Sequence, residues 1–107
     1  MNTSAIISRI LGANQFCGKD GNARIRHTIE LKVPYLTHSG ALSYDFILGE
    51  YYTPDTPTAT AEVQALVGRD MRAIYYFDVR TYDNPAKGTQ YFQNCYISKL
   101  YDNESRN

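Results

Sequence analysis

The pattern of apolar and polar positions predicts five strands and one short helix in a chain of 107 residues. The clearest strand covers 24–35, where Ile25, Ile29, Leu31 and Val33 alternate with polar and charged residues. This alternation predicts a strand with one buried face. Runs rich in Ile, Tyr and Phe predict four further strands, which cover 3–11, 42–52, 71–82 and 89–101.

The periodicity changes between the third and fourth strands. Thr58 or Thr60 is placed to cap a short apolar helix over 61–67, which Gly68 ends. Turn-forming residues predict long polar loops at GANQFCGKDGNA and DNPAKG, and Gly49 predicts a bulge or bend. The order β-β-β-α-β-β matches a five-stranded OB-type barrel, an all-β fold with one short helix. In that fold the second and third strands and those two loops form the ligand face.

Length and composition predict one domain over 1–102 and a frayed polar tail over 103–107. Neither a long apolar run nor a secretory leader is visible, which favours a cytoplasmic protein without membrane contact. Cys17 and Cys95 lie far apart without Cys-x-x-Cys spacing and are predicted to be reduced, partly buried thiols.

The charges are segregated along the chain although the formal net charge is zero. Residues 1–32 contain five basic and two acidic side chains, whereas 33–68 contain four acidic side chains and no Lys or Arg. The remaining segment contains six basic and five acidic side chains. Such segregation is compatible with one locally positive face.

A search for catalytic and metal-binding patterns favours a protein that is not an enzyme and uses no cofactor or metal. His27 lies on the buried side of its strand, which is typical of a hydrogen-bonded core imidazole, and His38 lies in a polar turn. Neither has a second His or Cys at the spacing of metal ligands. Nucleophile elbows, phosphate loops and zinc-protease motifs do not occur in the sequence.

Binding of nucleic acid is better supported, because rings and cations share one face of the fourth strand. That face contains Arg72, Ile74, Tyr76, Asp78, Arg80 and Tyr82. Cations can contact phosphates, and flat rings can stack on unpaired bases. Phe16 is placed in the first polar loop, either for stacking or as a plug over the core. The candidate nucleic-acid contacts are Arg80, Tyr82, Lys87, Tyr91, Tyr76, Arg72, Phe16, Arg24, Arg26 and Lys32.

The strand order and the hairpin VRTYDNPAKGTQYFQNCYISKL resemble the small OB-fold single-stranded DNA-binding proteins of phages and plasmids. The resemblance implies a DNA-binding homodimer with little sequence preference, acting in phage or plasmid replication or recombination, for example in an infected bacterial host. It also implies stacking by Tyr82 and Tyr91 and phosphate contacts by Arg80 and Lys87. The chain departs from this family in its zero net charge. It also lacks the long acidic tail of cellular single-strand-binding proteins, which fits a minimal phage or plasmid version better.

Three alternatives stay open at this point. RNA can replace DNA as the ligand, because ring stacking does not read the sugar. Exposed Tyr and Arg also suit a protein-interaction module, such as a phage inhibitor of a host enzyme or a small assembly subunit. A barrel for a small ligand, or an enzyme without a recognised motif, is the third alternative.

Overall fold

The computed structural model describes residues 2–102, so the predicted frayed tail at 103–107 lies outside the described residues. The element order is β1 (Asn2–Cys17), β2 (Ala23–Leu36), β3 (Leu42–Pro54), α1 (Ala59–Gln64), β4 (Asp70–Asn84) and β5 (Gly88–Asp102). This order and the all-β class with one short helix are the predicted ones.

The five strands close into a barrel in the order β1-β2-β3-β5-β4, with β1 and β4 as neighbours. β1 pairs with β4 through its first residues and with β2 from Ile6 onward. Register shifts between Ile7 and Arg9 and between Ile10 and Gly12 bend β1 as it passes from one partner to the other. Closure is completed by a short parallel contact, in which Glu50 and Tyr51 of β3 pair with β5.

The core is formed by alternate residues that point into the barrel. In β2 these are Ile25, His27, Ile29 and Leu31, so the predicted alternation is confirmed. They pack with other buried side chains, mainly Ala5, Ile7, Val63, Met71, Ala73, Tyr75 and Ile97. Of the two free thiols, Cys95 is buried but Cys17 is exposed, which corrects the prediction for Cys17.

The short helix α1 closes one end of the barrel by burying Ala59 and Val63. It starts and ends earlier than predicted. Thr58 occupies the N-cap position, but its hydroxyl donates to Glu62 Oε1 over 2.9 Å instead of capping a backbone N–H. Gly68 adopts a φ of 87°, and its N–H donates to the Ile7 carbonyl over 2.7 Å. This left-handed turn ties the segment after the helix to β1.

The first polar loop is much shorter than predicted, because β1 and β2 stay paired far beyond Leu11. The pairing runs from Gly12 opposite Thr28 to Cys17 opposite Ala23, and only residues 18–22 turn. Phe16 therefore lies in a strand and not in a loop. The prediction failed because residues 13–17 of β1 are exposed on both faces of the strand and do not need an apolar alternation. The β4 and β5 hairpin is extended in the same way, and only residues 85–87 separate its strands.

Gly49 is a site of close approach and not the predicted bulge, since β3 keeps a regular register with β2 around it. A Cβ atom at Gly49 would lie 2.7 Å from Ile97 Cγ1 and 2.8 Å from Ile97 Cδ1. Ile97 is buried, so its side chain has little room to move. The absence of a side chain at Gly49 therefore lets β5 approach β3.

We expect Gly49→Ala to lower the free energy of unfolding by about 1–3 kcal/mol, because the new methyl group overpacks the site where β3 meets β5. Urea denaturation measures this change. Gly12→Ala is the matched control, since a Cβ there would meet no atom within 4 Å, and we expect a change within about 0.5 kcal/mol. Equal effects of the two substitutions would contradict this explanation of Gly49.

His27 is fully buried, as predicted for a core imidazole. Its Nε2 lies 2.8 Å from Thr53 Oγ1, and its Nδ1 has no hydrogen-bond partner among residues 2–102. Burial lowers the pKa of His27 below the ordinary value of 6.5, because the charged imidazolium loses its hydration. The folded barrel therefore holds His27 in its neutral form.

This buried imidazole makes the stability of the fold depend on pH. The unfolded chain binds the proton near pH 6.5, whereas the folded chain binds it only at lower pH. The contribution of neutral His27 to the free energy of unfolding is thus fully present above pH 6.5. It is lost as the pH falls toward the folded pKa, by at most about 1.4 kcal/mol per pH unit. Urea unfolding at several pH values measures the slope. His27→Gln should flatten it, and an unchanged slope would refute the assignment.

Candidate nucleic-acid interface

Four aromatic rings form a continuous row on the outer face of the barrel, the face turned away from the core. The row consists of Phe16 in β1, Tyr52 in β3, Tyr96 in β5 and Tyr76 in β4, and we call it the ring row. Successive ring centroids are 5.4 Å, 6.4 Å and 5.4 Å apart. Phe16, Tyr52 and Tyr76 are exposed and Tyr96 is half-buried. The row therefore offers an aromatic surface that takes its rings from four of the five strands.

Two arginines of β2 flank one end of the ring row. Arg24 lies directly opposite Phe16 in the β1 and β2 ladder, and Arg26 lies opposite Tyr52 in the β2 and β3 ladder. Directly opposite residues share one face of a sheet, so both guanidinium groups belong to the outer face. The combination places cations beside rings, which is the chemistry that single-stranded nucleic acid requires.

The flanking arginines differ in their surroundings. Arg24 forms a 2.7 Å ion pair with Asp20 in the adjoining turn, and the hydrogen bonds from Arg24 and from the Asn22 backbone lower the pKa of Asp20 to about 2. Arg26 is exposed and forms no ion pair within the part of the chain that is described. Arg26 is therefore available to an anionic ligand without first releasing a carboxylate.

Tyr52 is held in place by a neighbouring carboxylate. Its hydroxyl donates to Glu50 Oε2 over 2.8 Å. Burial, together with this hydrogen bond and the charge of Glu50, raises the pKa of Tyr52 to about 12, and the nearby charge of Arg26 opposes the rise. The phenol therefore stays protonated at any physiological pH. Glu50 orients the ring but also leaves a negative charge at the centre of the face.

The outer face continues along the β4 and β5 hairpin beyond the ring row. Asp78, Arg80 and Tyr82 follow Tyr76 at alternate positions of β4, and Phe92 lies opposite Arg80. Arg80 Nε lies 3.1 Å from Asp78 Oδ2 in an ion pair whose Arg80 side chain is 76% exposed. Such exposed pairs contribute at most about 1 kcal/mol, so a phosphate can replace Asp78 at little cost.

Tyr82 and Tyr91, which the family resemblance pairs as stacking residues, lie on opposite faces of this hairpin. Tyr82 pairs with Gln90, whereas Tyr91 pairs with Thr81. Residues adjacent in a strand point to opposite faces, so Tyr91 shares its face with Phe77 and Val79. One bound strand lying flat on the outer face would contact Tyr82 and not Tyr91.

The remaining predicted contacts are dispersed. Lys87 is exposed in the β4 and β5 turn. Lys32 lies six residues along β2 from Arg26, about 20 Å away, and its Nζ lies 4.3 Å from the centroid of the Tyr44 ring. Arg72 is half-buried and pairs with Ser4 of β1 and Tyr101 of β5. The structure thus brings together Phe16, Arg24, Arg26 and Tyr76, and it places Arg80 and Tyr82 further along the same face of β4. Lys32, Arg72, Lys87 and Tyr91 lie apart from this group.

Sequence reasoning missed Tyr52 and Tyr96, the two central rings of the row. The alternation of β3 offered a signal for Tyr52, because positions 42, 44, 46, 48 and 50 share its face. Tyr96 has no comparable signal. Its place beside Tyr52 follows from the parallel contact between β3 and β5, which local sequence does not encode.

Within residues 2–102, no three His, Cys, Asp or Glu side chains are grouped so as to hold a metal ion. In the same range, none of the helical structure has the length and apolar character needed to span a bilayer.

These features define a five-stranded OB-type barrel with an aromatic and basic outer face. The fold is similar to that of a small single-stranded DNA-binding protein from Streptomyces coelicolor, with a TM-score of 0.52 and 10% sequence identity. The similarity covers 99% of this chain and 95% of that chain. No family model and no curated protein matches the sequence.

Proposed function

We propose that this protein binds single-stranded DNA with little sequence preference and without catalysing a reaction. The observation that carries the proposal is the ring row with Arg24 and Arg26 beside it. Bases would stack on the rings while Arg26, Arg24, Arg80 and Lys87 contact phosphates. The structural neighbour is itself a single-stranded DNA-binding protein, which supports the same use of the fold.

The shape of the face favours a single strand over a duplex. Stacking requires the flat side of an unpaired base, and in a duplex those sides are covered by neighbouring base pairs. The cations of this face are few and lie beside the rings, in keeping with the zero net charge of the chain. Because rings accept every base, weak sequence preference is expected.

The biological setting belongs to the same proposal. We infer a role for a homodimer in the replication or recombination of phage or plasmid DNA in the cytoplasm, for which the resemblance of the β4 and β5 hairpin is the support. Oligo(dT) and oligo(U) of equal length should be compared, because nothing in ring stacking distinguishes the two sugars.

The ring row should contribute most of the affinity. We expect Tyr52→Ala and Tyr96→Ala each to weaken binding of a fluorescent oligo(dT) by about 1–3 kcal/mol, or roughly 5- to 150-fold. Tyr52→Phe keeps the ring and should bind nearly as well as the parent chain. Tyr35→Ala is the control, since Tyr35 is a similarly exposed ring at the far end of β2. Equal losses for Tyr52→Ala and Tyr35→Ala would refute the ring row as the site.

Phosphate contacts should appear in the salt dependence. We expect the affinity of the parent chain to fall as salt rises, with a slope of about −0.7 in log K against log salt for each phosphate contacted. Arg26→Ala should reduce the steepness by about 0.7, whereas Lys32→Ala should leave it unchanged. Fluorescence titrations over a series of salt concentrations supply the slopes. A salt-insensitive affinity, or no binding at low salt, would exclude the proposed function.

The two faces of the β4 and β5 hairpin offer a further test. We expect Tyr82→Ala to weaken oligo(dT) binding by about 1 kcal/mol or more, because Tyr82 extends the ring row. Tyr91→Ala should have little effect, although Tyr91 is the more exposed of the two rings. The same titration measures both variants. A larger loss for Tyr91→Ala would place the ligand on the opposite face of the hairpin.

A further inference from the structure

One edge of β3 carries no strand along most of its length. Residues 42–48 pair with β2 on one side, while β5 pairs with β3 only at Glu50 and Tyr51 in the described part of the chain. An unpaired edge presents backbone N–H and C=O groups that can extend the sheet through another strand. The edge at 42–48 is therefore a potential pairing site.

This edge has few of the features that usually prevent such pairing, and Asp45 is its one charged residue. Residues 42–48 contain no Lys, Arg, Pro or Gly, and their register with β2 has no bulge. Their outward side chains are unusually apolar, with Leu42, Phe46 and Leu48 exposed by 60%, 61% and 53%. The free part of β1, by contrast, contains two register shifts and Gly12.

The side chains of the edge segment itself favour a protein strand over a phosphate backbone as the occupant. Residues 42–48 contain no Lys or Arg and include the carboxylate of Asp45, and the neighbouring cation, Lys32 of β2, lies over the Tyr44 ring. The occupant must therefore complement the sequence LSYDF of residues 42–46. This segment has apolar side chains at both ends, and the hydroxyl of Ser43 and the carboxylate of Asp45 lie on either side of Tyr44.

We propose that a second copy of this chain pairs here, β3 antiparallel to β3, with Tyr44 on the two-fold axis. In this register Leu42 lies opposite Phe46 of the second copy, and Ser43 lies opposite Asp45 of the second copy. Each Ser43 hydroxyl can then donate to a carboxylate across the interface. The segment is thus complementary to itself in both its apolar and its polar positions.

Two neighbouring registers that also keep apolar side chains together are less favourable. With Asp45 on the axis, two carboxylates would face each other directly. With Phe46 on the axis, Leu42 of the second copy would lie opposite Glu50, where β5 already pairs through Tyr96. The register centred on Tyr44 avoids both conflicts, because its paired segment ends at Phe46.

This arrangement has a geometric consequence. Opposite residues share one face of the extended sheet, so the outer faces of the two barrels point the same way. The two ring rows would then lie on one side of the dimer. The dimer is inferred from the β3 edge alone and does not depend on the proposed binding of DNA.

Sedimentation equilibrium without nucleic acid tests the interface. We expect a dimer for the parent chain and dimerisation about tenfold weaker or more for Leu42→Lys and for Phe46→Asp, since each occurs twice in the interface. The double variant should recover dimerisation, because each lysine would face a carboxylate of the other copy. Val79→Lys, at a similarly exposed residue of β4, should dimerise like the parent chain.

Disulfide trapping tests the register. In a Cys17→Ser background, Tyr44→Cys should form a disulfide-linked dimer on mild oxidation, because residues on the axis have Cβ atoms about 4.5–5.5 Å apart. Phe46→Cys in the same background should not. A monomeric parent chain at all concentrations would overturn the proposal, and so would trapping through Phe46→Cys in place of Tyr44→Cys. A monomeric parent chain would also remove the homodimer from the proposed biological setting, but neither failure affects the oligo(dT) titrations or the proposed binding of DNA.

Discussion

The short parallel contact between β3 and β5 is the constraint on which the rest of the structure depends. It joins only Glu50 and Tyr51 to Tyr96 and Ile97, yet it closes the barrel. The contact is possible because Gly49 has no side chain to meet Ile97. It also places Tyr52 and Tyr96 side by side on the outer face, so the same contact that closes the core assembles the centre of the ring row. Its shortness leaves the remaining edge of β3 unpaired.

The electrostatics of the outer face reconcile a zero net charge with a basic site. Arg9, Arg24, Arg69 and Arg80 each pair with a carboxylate, so much of the positive charge is locally neutralised. The pairs of Arg24 with Asp20 and of Arg80 with Asp78 are the more exposed ones and contribute little to stability, which means that phosphates can compete for these two arginines. Local placement of cations beside rings therefore matters more for such a ligand than the total charge of the chain.

The sequence predicted those parts of the fold that depend on local alternation and turn chemistry. The inward face of β2, the order of the elements along the chain and the short helix followed from such patterns, and so did the burial of His27. The end of β1 was missed because residues 13–17 are exposed on both faces of the strand, and such polar residues resemble a loop. The ring row was predicted only in part. Its members come from four strands, and their proximity depends on registers between strands that no local pattern specifies.

The extended hairpins show why exposed rings in this chain require an explanation other than packing. Tyr82 and Phe92 of the outer face are exposed by 55% and 54%, and both lie beyond the barrel core. They therefore remove little apolar surface from water and stabilise the barrel only slightly. Exposed aromatic side chains are also a liability for solubility, since they favour association. Their position on the part of the β4 and β5 hairpin that continues the outer face is accordingly better explained by contact with a ligand than by packing of the core.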